Sequence, residues 1–172
     1  MNLSNVKIKF NQKKVKLSYI TACSYDVQCI KPGNVNYLSG HHDTSIDDFI
    51  KSYNITSDII SMPDMSLGAR VYECVKSTKL AVDNNTNLGI VLLCSVFSQS
   101  LLFNTNSTLI ESIKNVVMNS TVQDVSDICD AISLANPGGL SSHDTYDVRS
   151  KPNISLFEVM RISSEYDQIS KQ

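Results

Sequence analysis

The stretch DNNTNLGIVLLCSVF, Asp83 to Phe97, changes character at one residue. Five polar residues, Asp83 to Asn87, run straight into Leu88-Gly89-Ile90-Val91-Leu92-Leu93-Cys94. The apolar run continues to Phe103, interrupted only by Ser95, Ser98, Gln99 and Ser100. A short apolar run reads as strand or as buried helix, and periodicity alone does not separate the two over Ile90–Val96. The helical spacing on either side argues for helix. Apolar on nearly every face, Ile90 to Phe103 is expected to be the central helix of the fold.

Working outward, the neighbouring segments carry helix signals. Upstream, Ala69 to Val82 repeats apolar residues at helical spacing, with Val71, Val75 and Leu80 expected inward, after a join bracketed by Pro63 and Gly68. Ser45-Ile46-Asp47-Asp48 reads as a capping box that opens a helix through Ile59 or Ile60, with its acidic pair at the favourable end of the helix dipole. Before it, Lys31-Pro32-Gly33-Asn34 breaks a stripe formed by Val15, Ile20, Ala22, Cys23, Val27 and Ile30. Downstream, Thr108 with Glu111 and Thr121 with Asp124 are two more capping boxes, opening helices that end near Met118 and Ala135. Asn136-Pro137-Gly138-Gly139 stops the second. Ser155-Leu156-Phe157-Glu158 opens a last helix toward Gln172, with Leu156, Val159, Met160 and Ile169 inward and Phe157 and Ile162 off that stripe. The expected fold is all-α: a single-domain helical bundle with a buried central helix, residues 1–14 forming an N-terminal arm and 15–172 the helical domain.

With 172 residues, 42% hydrophobic and 19% charged, the chain can bury a core and is not disordered. Its net charge of −2 and its lack of tryptophan give no footing for a nucleic-acid surface or a base-stacking platform. The longest apolar run falls short of the roughly 20 residues a membrane span needs. Five cysteines without a C-x-x-C pair, and no apolar leader in MNLSNVKIKF, point to a cytoplasmic protein.

The signatures of P-loops, dinucleotide folds, serine hydrolases and zinc proteases are absent. Four polar loops remain, each at a helix end. The first holds Asp26 and Lys31-Pro32-Gly33-Asn34, where Lys31 suits a phosphate and Gly33 lets backbone approach it, or the segment is an ordinary turn. The second, Gly40-His41-His42-Asp43-Thr44, offers metal ligands or a helix cap. In the third, Asn85 and Asn87 carry donors and acceptors suited to ribose or a purine edge, next to a helix N-terminus that favours anions. Alternatively Thr86 or Asn87 caps that helix. The fourth runs from Asn136-Pro137-Gly138-Gly139-Leu140 to His143, Asp144, Asp147 and Arg149, with carboxylates that suit Mg²⁺.

In order and wording, DVQCIKPGNVNYLSGHHDTSIDDFIKSY, GARVYECVKSTKLAVDNNTNLGIVLLC, NPGGLSSHDTYDV and SLFEVMRISSEYDQIS resemble the triphosphoribosyl-dephospho-CoA synthase family, most closely its archaeal and methylotroph branch. The family pattern has a carboxylate before K-P-G, an H-x-D segment leading to D-F-x-x-S, N-T-H-K-G or N-T-N-L-G before an apolar helix, and N-P-G-G-L followed by D-V. The resemblance implies an all-α transferase that moves the triphosphoribosyl group of ATP to a dephospho-CoA-like acceptor and releases adenine.

On the matching positions it implies Asp26 as general base and Asp147 as a second catalytic carboxylate. It implies nucleotide binding by Lys31, Gly33, Asn34, Asn85, Thr86, Asn87, Gly89, Gly138 and Gly139, and Mg²⁺ held by Asp43 and Asp147. There are two departures from the family, at three positions: Asn87-Leu88 stands where lyase-associated members have His-Lys, and Ser141 follows N-P-G-G-L in place of glycine. Family members also continue further, so the C-terminal part is expected to be missing. That makes a homo-oligomer or a second chain completing the fold an expected partner. The alternatives are an incomplete helical subunit without activity of its own, or a related nucleotide enzyme of a pterin or one-carbon pathway.

Overall fold

A computed structural model describes residues 10–30, 45–103, 107–137 and 153–164. Among them all regular structure is helical: α1 (Gln12–Gln28), α2 (Ile46–Ile60), α3 (Leu67–Val82), α4 (Leu88–Phe103), α5 (Leu109–Met118), α6 (Val122–Ala135) and α7 (Leu156–Ser163). The helix starts follow local chemistry. Ser45, Thr108 and Thr121 each accept the amide three residues on, while Asp48, Glu111 and Asp124 reach back to the cap amide, so all three expected capping boxes form. Asn11, Ser66 and Ser155 cap α1, α3 and α7.

α1 and α2 are antiparallel, tied by the Tyr19–Thr56 hydrogen bond of 2.8 Å and the Lys16–Asp58 ion pair. The inward stripe of α1 is Val15, Tyr19, Cys23 and Val27, at strict i, i+4 spacing. Ala22 and Ile30, expected on that stripe, are exposed: Ala22 is one residue, about 100°, round the helix from Cys23, and Ile30 lies past the end of α1 at Gln28. α2 turns back into α3, and α6 lies along α3 with the two N-termini together, where the Gly68 amide meets the Asp124 carboxylate.

The central helix is α3, which packs against α2, α4 and α6 at once. Val71, Cys74 and Val75 from α3 meet Ile60, Val91, Ile128 and Ala131 in the core. This corrects the expectation for Ile90–Phe103. α4 turns Val91, Ser95, Ser98 and Ser100 inward and leaves Leu93 61% exposed, with Phe97 and Phe103 also at the surface. A helix that is apolar all round has no preferred face on hydrophobicity alone. Here the small serines face in beside Val91, while Leu88, Ile90, Leu92 and Val96 are half-buried against the core, and Leu93, Phe97 and Phe103 stay at the surface. Leu80, expected inward, is 81% exposed on the last turn of α3.

α7 docks by its N-terminus, where the Leu156 amide donates to Ser120 Oγ at 3.2 Å. Leu156 packs on the core, Phe157 is exposed and Ile162 is half-buried. Ile169 lies outside the described residues. No described helix is long and apolar enough to cross a membrane.

Candidate active site

The turn between α3 and α4 is built by side chains that reach into three helices. α3 ends on Asp83 in the left-handed conformation, φ 56°, with its amide donating to Lys79 C=O. Asn85 Oδ1 accepts the Leu88 amide at 3.2 Å and so caps α4. The capping expected of Thr86 or Asn87 is therefore done by Asn85. Thr86 and Asn87 are both buried. Asn87 Nδ2 donates to Thr78 Oγ1 of α3 at 3.1 Å. Thr86 Oγ1 lies 2.5 Å from Ser52 Oγ of α2. Ser52 gives its own proton to Asp48 C=O, so Thr86 is the donor between the two hydroxyls.

Gly89 sits in the first turn of α4 with open space where a side chain would point: nothing lies within 4 Å of a Cβ built there. Leu88 packs against the core. The two positions that depart from the family's His-Lys are thus both turned inward here, Asn87 onto α3 and Leu88 onto the apolar cluster. Asp83 and Asn85 of the turn and Gly89 of the first turn of α4 are at the surface.

Asp26 is half-buried on the last turns of α1. Lys31, Gly33, Asn34, Asp43, Gly138, Gly139 and Asp147 lie outside the described residues. What the fold fixes is where their segments begin and end. α1 and α2 are antiparallel, α2 is joined to the α3–α4 turn through Ser52 and Thr86, α4 returns from the turn, and α6 runs alongside α3 from a common N-terminal end. The C-terminus of α1, the N-terminus of α2, the Asp83–Asn87 turn and the C-terminus of α6 therefore share one end of the bundle. α6 stops there on Asn136, left-handed at φ 45°, the first residue of the N-P-G-G-L segment.

The described residues bring no three metal-binding side chains together. Asp48, on the first turn of α2, is committed to its cap: its carboxylate accepts the Ser45 amide and hydroxyl at 2.9 Å each, which holds its pKa below the usual range. A magnesium site is not made by the described residues alone. A cavity of about 400 Å³ opens at the other end of α3, lined by Ser66, Gln99, Asn115, Asn119 and Asp124 among others. It lies about 24 Å along α3 from the turn, by the rise of a 16-residue helix, and holds none of the expected site residues.

Sequence reading missed Ser52 and Thr78 as supports of the turn. Ser52 was within reach, since it is the serine of the D-F-x-x-S pattern, Asp48-Phe49-Ile50-Lys51-Ser52. Thr78 carries no signal, being one more small polar residue of a helix. The structure therefore joins two of the four quoted segments by a direct side-chain contact.

A family model described as ATP:dephospho-CoA triphosphoribosyl transferase matches residues 12–172. The chain belongs to this family. The match begins with the first residue of α1 and takes in all seven described helices, so the transferase family accounts for the whole of the described bundle. No curated protein and no solved structure matches the chain. The D-F-x-x-S and N-T-N-L-G segments of this triphosphoribosyl transferase relative are thus fold elements as well as family wording, since Thr86 of the second donates to Ser52 of the first.

Proposed function

We propose that the protein joins ATP to a dephospho-CoA-like acceptor. A ribose hydroxyl of the acceptor attacks the anomeric carbon of the ATP ribose. The N-glycosidic bond breaks, an O-glycosidic bond forms, adenine leaves with a proton, and the triphosphate stays on the transferred sugar. The observation that carries this reading is that the four polar segments begin or end at one end of the bundle in a chain of this family.

Glycosyl transfer develops positive charge on the ribose, which a nearby carboxylate stabilises. Asp26, on the last turns of α1, is the proposed base for the acceptor hydroxyl, and Asp147 the second carboxylate. Lys31, Gly33 and Asn34 would meet phosphate, with Gly138 and Gly139 offering backbone. Asn85 and Gly89, exposed on this side together with Asp83, would face ribose or phosphate. Mg²⁺ would supply charge neutralisation for the triphosphate, held by Asp43 and Asp147. Five cysteines, none in a disulfide, fit a cytoplasmic enzyme.

The test is incubation of the purified protein with ATP, dephospho-CoA and Mg²⁺, followed by mass spectrometry. Free adenine and a product carrying the mass of both substrates less adenine are expected. A parallel melt should show stabilisation by ATP, roughly 2.7 kcal/mol at 100 times its Kd. The absence of both adenine release and a nucleotide-dependent shift would overturn the reading.

A further inference from the structure

Two buried hydroxyl pairs, Tyr19–Thr56 and Thr86–Ser52, tie α1 and the α3–α4 turn to the backbone of α2. Thr56 Oγ1 donates to Ser52 C=O at 2.7 Å, so its contact with Tyr19 at 2.8 Å uses the tyrosine proton. Ser52 Oγ donates to Asp48 C=O and receives Thr86. Ser52 and Thr56 are fully buried, Tyr19 and Thr86 nearly so. On the other flank the buried Thr78 receives Asn87. In low dielectric such bonds are strong, and a partner left unmatched is costly, so the network admits few other geometries for the turn.

We propose that Ser52 and Thr78 are positioning residues for the nucleoside-triphosphate site, acting through Thr86 and Asn87. This rests on the function proposed above. Both partners of the turn are spent inward, so Thr86 and Asn87 set the shape of the turn while Asn85 and Gly89 present its surface. A turn fixed before the ligand arrives need not be ordered when it binds, so the advantage falls on affinity. Loosening the turn should raise KM for ATP and leave kcat nearly unchanged. A merely structural role predicts the reverse: a smaller folded fraction lowers apparent kcat and leaves KM alone.

The experiment uses Ser52→Ala, Thr86→Val, their double variant, Thr78→Val and Thr78→Ser in the full chain. The expected result is a rise in KM for ATP of about tenfold for Ser52→Ala, with kcat within about threefold. The double variant should be no worse than either single change, because the two residues act through one contact. Thr78→Ser should recover most of what Thr78→Val loses. Amide hydrogen exchange without ligand is the second arm: residues 83–90 should exchange about tenfold faster in Ser52→Ala and Thr78→Val, with α3 still protected. An unchanged KM with a fall in kcat that tracks the folded fraction would overturn the proposal, as would unchanged exchange in the turn. If the wild-type protein binds no ATP, the proposed function fails, and the exchange arm alone then decides whether these residues fix the turn.

Discussion

The amide of Gly68 donates to the carboxylate of Asp124 at 2.8 Å, and the two backbones are so close that a side chain cannot fit between them. A Cβ on Gly68 would lie 2.5 Å from Asp124 Cα and 2.6 Å from its carbonyl oxygen. Those are backbone atoms, so α3 and α6 would have to part. Gly68→Ala is therefore expected to destabilise by about 1–3 kcal/mol despite the gain in helix propensity, visible as a fall in Tm of roughly 3–10 °C.

Asp124 also gives a pH dependence. Burial pushes its pKa up. The amides of Gly68 and Thr121 and the hydroxyls of Thr121 and Ser66 pull harder, and the net shift is downward. A depressed carboxylate adds stability above its unfolded pKa of about 3.9 and loses it as pH falls through the folded value. Melting curves of the wild type and Asp124→Asn should be well separated at pH 7 and draw together below about pH 4. A gap that does not change with pH would contradict this.

Arg70 is fully buried, and its acceptors are the carbonyls of Ile59, Ile60 and Met65 and the side chain of Gln99, at 2.7 to 3.0 Å. The guanidinium thus closes the C-terminus of α2, where the helix dipole favours a cation. Burial pushes its pKa down to about 10, which still leaves it charged at neutral pH. Arg70→Met should cost on the order of 3 kcal/mol or more, because it strands buried carbonyls. Arg70→Lys should not restore the loss, since an ammonium cannot span the same acceptors. Urea midpoints of the three proteins check both statements.

The helix starts were legible because a capping box is written within four residues, as in Ser45–Asp48, Thr108–Glu111 and Thr121–Asp124. The position of α4 was not. A segment apolar on every face contains no directional signal, and it was the fit of Ser95, Ser98 and Ser100 against neighbours that chose its inner face. Gly68 read as part of a join, yet it is the second residue of α3, and only the approach of α6 explains it. At the site, the N-T-N-L-G wording was legible and its supports were less so, because Ser52 and Thr78 reach it through tertiary contacts that leave no periodic trace.

The thiols divide by burial. Burial pushes Cys23 and Cys74 up to about 12 and Cys94 up to about 11, and Cys129 is also buried. Cys29 is exposed just past α1. Since the thiolate is the reactive form, a maleimide or disulfide reagent at pH 7.5 should modify Cys29 first and alone in the folded protein. Peptide mapping that finds Cys23, Cys74 or Cys94 modified as fast as Cys29 would show that the core around α1 and α4 opens readily.

Truncations along α4 test which of its faces is internal. Val91 is fully buried in the main core, whereas Leu93, two residues on, is 61% exposed. Val91→Ala removes packed methyl groups and should cost roughly 1.5–3 kcal/mol. Leu93→Ala should cost less than about 1 kcal/mol if its surface faces water, because little area is removed from burial. An unpartnered α4 face thus makes Leu93 the milder change even though it is the larger side chain. The competing outcome is specific. If Leu93→Ala costs as much as Val91→Ala and also shifts a sedimentation profile measured at micromolar concentration, the α4 face is covered by a second copy in solution. Equal costs with no change in sedimentation would mean instead that α4 is internal to the monomer, and the placement of α3 as the central helix would fail.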